Sequence, residues 1–121
     1  MAYVDGFIVP LPKKNVKTYA AISKKCGKVW RKHGALEYRE CVADDVKVGK
    51  WTSFPRSVKM KKNETTVFAY IVYKSRKHRD QVLKKVFADP SMAKMMEAGP
   101  KSMPFDAKRM IYGGFKVFVD V

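Results

Sequence analysis

Two histidines, two cysteines and one carboxylate inside an apolar segment are the residues whose types and spacing could do chemistry here. His33 and His78 lie far apart, with no carboxylate at a fixed spacing from either, so they form no metal signature. His33 ends a lysine-rich helical pattern, where a cation suits the helix dipole. His78, in the stretch SRKHRD, falls in the first turn of a second helical pattern. There it could face a cleft between helix and sheet as an acid or base, or sit solvated beside Arg76 and Arg79. It is also the one reasonable axial ligand for a haem, although no cofactor and no metal are expected. Cys26 and Cys41 match no zinc or redox spacing and read as buried, reduced thiols packed as small hydrophobes.

Asp5 stands between Val4 and Gly6 in an apolar run. A buried carboxylate must be paired or hold its proton more tightly. Asp5 is therefore either a general base or substrate anchor, or the partner of Arg39 or Arg109 on a neighbouring strand. Glu37 and Glu40 fall on opposite faces of one strand and cannot work as a carboxylate pair. Tyr38, Tyr70, Tyr73 and Tyr112 are strand tyrosines that could line a pocket and hydrogen-bond a polar ligand, or pack as amphipathic core. Gly113-Gly114 has no phosphate-loop context and marks a bulge or a close approach. No nucleophile elbow and no Cys–His arrangement is present. The candidates are thus Asp5 and His78 for catalysis, and Tyr3, Arg109 and Tyr112 for ligand binding. The residues leave open whether the protein is an enzyme.

The charge is unusual. The 121 residues carry 26 lysines and arginines against 11 acids, a formal net charge of +15. No acid lies between Asp5 and Glu37, while Lys17, Lys24 and Lys28 fall in that gap. Such a surface attracts polyanions by counterion release. It makes an anionic ligand, or RNA held on the lysine face of the first helix, the partners to consider. Yet lysine dominates, and lysine lacks the planar fork of specific phosphate recognition, so the charge equally serves solubility. No stretch carries the stacking aromatics of an RNA-recognition sheet.

The elements that must position these residues follow from periodicity. The chain length fits one domain, 1–121, with a 46% apolar fraction typical of globular proteins. Residues 2–9 read as a strand ended by Pro10 and Pro12. A helix follows over about 13–33, with Gly34 at its C-cap. Residues 35–43 alternate as a second strand. The basic segment 46–63 reads as a long excursion with a short extra strand at 56–60. Residues 65–74 are a β-branched and aromatic run, hence a central strand apolar on both faces. Ser75 caps a helix over about 76–88, Asp89-Pro90 breaks it, and a further turn spans 91–98, ended by Gly99-Pro100. The last strand spans about 109–119. No apolar run is long enough to cross a bilayer, and the N-terminus reads as a strand rather than a signal peptide. The expected location is the cytoplasm.

This order is βαββαβ, an α+β ferredoxin-like sandwich whose right-handed crossovers place both helices on one face of the sheet. The strands carry apolar residues at both parities, so something must cover the other face. A second copy related by a two-fold axis is the simplest cover. The segments YVDGFIVPLPKKN at 3–15, ECVADDVKVGK at 40–50, TSFP at 52–55, VYKSRKHRD at 72–80 and MPFDAKRMIYGGF at 103–115 resemble the YbaA-like proteins. These are a bacterial domain-of-unknown-function family in the dimeric α/β-barrel superfamily. The resemblance implies a ferredoxin-like protomer and a homodimer closing an eight-stranded barrel. It implies no particular activity, though the wider superfamily includes cofactor-independent monooxygenases, haem-degrading enzymes and small-molecule isomerases. A small-molecule ligand in a helix–sheet cleft is the resulting expectation.

Overall fold

The computed structural model describes residues 1–97, 99 and 103–121. Strand β1 (Tyr3–Pro12) leads through one 3-10 turn, Lys13–Asn15, into helix α1 (Val16–Lys32). Strand β2 (Glu37–Val42) follows, then the short helix α2 (Phe54–Ser57) and strand β3 (Glu64–Tyr73). Helices α3 (Arg76–Ala88) and α4 (Pro90–Met96) precede a 3-10 turn at Ala107–Arg109 and strand β4 (Ile111–Lys116). The sheet order is β2-β3-β1-β4, with every neighbouring pair antiparallel. This is the ferredoxin-like arrangement expected from the pattern.

Local chemistry explains most boundaries. Gly34, at φ 116°, takes the left-handed position that ends α1. The Ser75 hydroxyl accepts from the backbone N–H of His78 at 3.0 Å and caps α3. β1 runs through Pro10 rather than stopping before it. β4 pairs with β1 only as far as Ile8 opposite Ile111, so β1 is an edge beyond that point and tolerates the missing donor. The strand expected at 56–60 is instead the single turn α2. Ser53 caps it by accepting from the Arg56 N–H at 3.2 Å, and Pro55 sits in its first turn. The further turn expected over 91–98 is α4; of its expected end, Ala98 and Pro100 lie outside the described residues.

The two faces of the sheet differ. Odd-numbered residues of β1 and β3 point to the helices, and Val9, Leu11, Val67, Ile71 and Tyr73 are buried there. They form two core clusters. One gathers Tyr3, Ile71 and Tyr73 with Val29, Val82 and Val86; the other gathers Val9, Leu11 and Val67. Ala69 lies between them on β3 and belongs to neither. On the opposite face, Glu64 and Thr66 are covered, as are Pro55 and Val58 from the α2 excursion. Further along, Phe68 is 43% exposed, Ile111 42% and Phe115 63%. Within one protomer β3 is thus buried along its helix-facing side, and on the other face only at Glu64 and Thr66.

Candidate functional site

The small side chain of Ala69 leaves a gap on the helix-facing side of the sheet. A cavity of about 460 Å³ fills this gap, with Asp5, Phe7, Trp30, Tyr38, Phe105 and Tyr112 among its lining residues. Its walls come from the sheet, from α1 and α3, and from the segment leading into β4. That segment is held in place by Asn15, whose Nδ2 donates to the Pro104 carbonyl at 2.7 Å. It is also held by an edge-to-face contact of Phe105 on Tyr19 at 5.7 Å. The lining is mostly apolar and aromatic, with few polar groups, as ligand sites usually are.

Asp5 is the polar centre of one wall. It is 1% exposed. Arg79, from the first turn of α3, donates Nη1 to Asp5 Oδ1 at 2.8 Å. The same Nη1 donates to the Tyr112 hydroxyl at 3.1 Å, and the hydroxyls of Tyr112 and Tyr73 both hydrogen-bond to the Asp5 carboxylate. Behind them, Trp30 Nε1 donates to the Tyr73 oxygen at 3.1 Å. Burial raises the Asp5 pKa above the usual carboxylate value, and the Arg79 charge and these hydrogen bonds offset only part of that rise. Burial likewise pushes up the phenol of Tyr112, as does the negative charge of Asp5. The result is a buried carboxylate that holds its proton more readily than usual and reaches the cavity beside a phenol.

The opposite wall carries a second cluster that the sequence reading missed. Both Tyr19 and Tyr38 donate their hydroxyls to Glu40, the Tyr38 bond being 2.9 Å. Burial first, and the Glu40 charge second, raise both phenols far above their usual value. Burial also pushes up the Cys26 thiol nearby. Alternation along β2 could have found this cluster, because it puts Tyr38, Glu40 and Val42 on one face. The presence of an α1 tyrosine above that face is a tertiary fact.

Of the residues singled out in the sequence, Asp5 and Tyr112 come together on this cavity. The partner of Asp5 is Arg79, not Arg39 or Arg109: Arg39 pairs with Glu37 on the exposed surface, and Arg109 is committed elsewhere. Its guanidinium grips Glu64 with both Nη atoms, at 2.8 and 2.6 Å, donates to Asp106 at 3.0 Å and also reaches the Lys59 carbonyl at 3.0 Å. Arg109 thereby ties the α2 excursion to the sheet, and its hydrogen bonds hold the Glu64 carboxyl below its usual range. Tyr3 is buried with the Arg79 guanidinium 5.0 Å over its ring. It explains Gly114, where a Cβ would lie 2.9 Å from the Tyr3 ring. His78 does not line the cavity. Its Nδ1 accepts from the Lys74 N–H at 3.0 Å, its ring abuts Tyr73, and burial lowers its pKa. His33 bonds to Asp89 at 2.7 Å. Lys17, Lys24 and Lys28 are exposed along α1, and Cys41 is exposed rather than buried. Among the described residues, no three metal-ligating side chains gather, and no helix is long and apolar enough to cross a membrane.

Fold and site together define a ferredoxin-like α+β protomer with a half-open, mostly apolar cavity between helices and sheet. The family model described as "Protein of unknown function (DUF1428)" matches residues 2–107, and the chain belongs to that family. The uncharacterized protein YbaA of Escherichia coli K12 is 43% identical over 120 residues, covering 99% of both chains. YbaA of Shigella flexneri matches to the same extent. Among solved structures, SnoaB, a cofactor-independent oxygenase from Streptomyces nogalater, superposes with a TM-score of 0.62. That likeness covers 99% of this chain and 96% of SnoaB at 9% identity, which establishes a shared fold.

Proposed function

We propose that this protein is a homodimer that binds, and transforms, a small and largely apolar molecule in the cavity between helices and sheet. The observation that carries this reading is the 460 Å³ apolar cavity with the Asp5–Arg79–Tyr112 cluster on its wall. The net charge of the chain favoured an anionic ligand, but the charged groups at the cavity favour a neutral one. Arg79, behind the wall, is already neutralised by Asp5, Arg39 at the lining pairs with Glu37, and the second cluster adds the carboxylate of Glu40. A neutral molecule bearing a hydroxyl group suits these walls. Its hydroxyl would donate to the Tyr112 oxygen or to Asp5. Asp5, with its raised pKa, would serve as anchor or proton acceptor. The fold of SnoaB, an oxygenase that needs no cofactor, is compatible with such chemistry, though fold alone assigns none. The homodimer rests on the uncovered sheet face of Ile8, Phe68, Tyr70, Ile111 and Phe115, too apolar to be left to water.

The test uses 2-naphthol as a neutral, apolar, hydroxylated probe in isothermal titration calorimetry. Wild-type protein is expected to bind it, and Ala69→Phe, which fills the floor of the cavity, to lose binding while keeping its circular dichroism spectrum. No heat of binding at millimolar probe, or binding indifferent to Ala69→Phe, would count against the cavity as the site.

A further inference from the structure

A second concavity lies outside the first. It is a groove of about 600 Å³ between α1 and the edge strand β2, and it shares only the Tyr19, Ser23, Tyr38 and Glu40 wall with the inner cavity. Its origin is legible in α1. Ala20, Ser23 and Gly27 face the groove with little or no side chain. Gly27 cannot carry more, because a Cβ there would lie 2.8 Å from the Tyr38 ring. The floor is apolar, with Leu11, Val16, Val42 and Val67. The rim is cationic. Lys24, Lys28 and Arg31 recur at helical spacing on the groove side of α1, a line roughly 10 Å long at ~1.5 Å per residue. Arg31 is braced by its donation to the Ala35 carbonyl at 2.9 Å and to the Leu36 carbonyl. Neither Lys24 nor Lys28 forms an ion pair with a described carboxylate. The one carboxylate in the groove, Glu40, is occupied by the two tyrosine hydroxyls.

We propose that this groove binds a single-chain amphipathic anion of the fatty-acid type. The alkyl chain would lie along the Leu11–Val16–Val42–Val67 floor, and its carboxylate would meet Lys24 and Lys28. Charge complementarity at the rim and apolar area on the floor both favour this occupant. A nucleic acid would use the lysines but leave the apolar floor wet. The inference goes beyond the inner-cavity ligand and stands on different residues. It accounts for part of the chain's positive charge, which the inner cavity does not use.

The experiment titrates decanoate and 1-decanol into the full chain by calorimetry. Decanoate is expected to bind about tenfold more tightly at low salt, an advantage that shrinks as ionic strength rises. Lys24→Glu combined with Lys28→Glu should abolish that advantage, whereas the matched reversal of Lys84 and Lys85 on α3 should leave it intact. Ala20→Trp, a surface substitution that fills only the outer groove, should weaken both probes, and Ala69→Phe should affect neither. Equal affinity for the two probes overturns the proposal, as does decanoate binding that survives Ala20→Trp. Polyuridylate binding lost in the Lys24/Lys28 reversal, with decanoate binding absent, would assign the lysines to nucleic acid and overturn it as well. Because Ala69→Phe probes the inner cavity and Ala20→Trp the groove, failure of one reading is distinguishable from failure of the other.

Discussion

Removing Arg79 should expose how the buried carboxylate is kept. The side chain of Asp5 is 1% exposed and that of Arg79 12%, and the two lie 2.8 Å apart. Arg79→Met keeps the apolar stem and deletes the charge, stranding Asp5 against Tyr73 and Tyr112. Deleting one partner of a buried pair typically costs ~3–5 kcal/mol, which for a chain of this length is roughly 10–20 °C in Tm at neutral pH. The cost should depend on pH. Burial already raises the Asp5 pKa in the folded state above the unfolded value, which is about 3.9. Between those two values the folded state keeps a proton that the unfolded state has lost, so stability falls as pH rises through that window. Without Arg79, the largest influence opposing burial is gone, and the window extends further up. At about pH 4.5 the variant can protonate Asp5, leaving a neutral carboxyl still bonded to two phenols and a loss nearer 1–2 kcal/mol. Urea unfolding at pH 4.5 and 7.5, at one fixed protein concentration so that the proposed association weighs equally in both, would measure both. Equal losses at the two pH values, or a loss below about 1 kcal/mol at pH 7.5, would refute the pairing argument. Adding Asp5→Asn to Arg79→Met should recover most of the loss, since it removes the stranded charge.

Gly27→Ala should destabilise by about 1–3 kcal/mol in thermal melts even though alanine is the better helix former by about 1 kcal/mol, because its Cβ would meet the Tyr38 ring at 2.8 Å. A raised Tm would show that Tyr38 can move. Ser75→Ala should cost about 1 kcal/mol through loss of the α3 cap, read as a lower urea midpoint with an unchanged slope. Phe115→Asp should reduce the mass seen by light scattering to that of one chain, and a wild-type monomer at micromolar concentration would dispose of the homodimer directly. Asp89 is held well below the usual carboxylate range by Ser91 and His33. Wild type should therefore lose stability as pH falls below about 4, and Asp89→Asn should lack that part of the acid limb.

What could be read in the chain was its local chemistry. The β-branched run of β3, the apolar stripe of α1, Ser75 before α3 and Gly34 after α1 each fix an element through interactions within a few residues. The βαββαβ order then follows from chain geometry. The same local logic covered α2: Ser53 followed by Pro55 is a helix start, and reading the 56–60 stretch by its side chains alone hid it. Asp5 stood out because a carboxylate in an apolar run is costly wherever it lies. Its partner could not be read. Arg39, Arg79 and Arg109 are equivalent in sequence, and only the packing of α3 against β1 places the Arg79 guanidinium at Asp5, while the α2 excursion draws Arg109 to Glu64. The cavity was equally hidden, since it exists where Ala69 sits between two well-filled clusters. Sequence determined which segments are strands and helices and which face of each is apolar. Tertiary structure alone decided which charges meet and where the core is left unfilled, because both depend on distances between segments that local preferences do not encode.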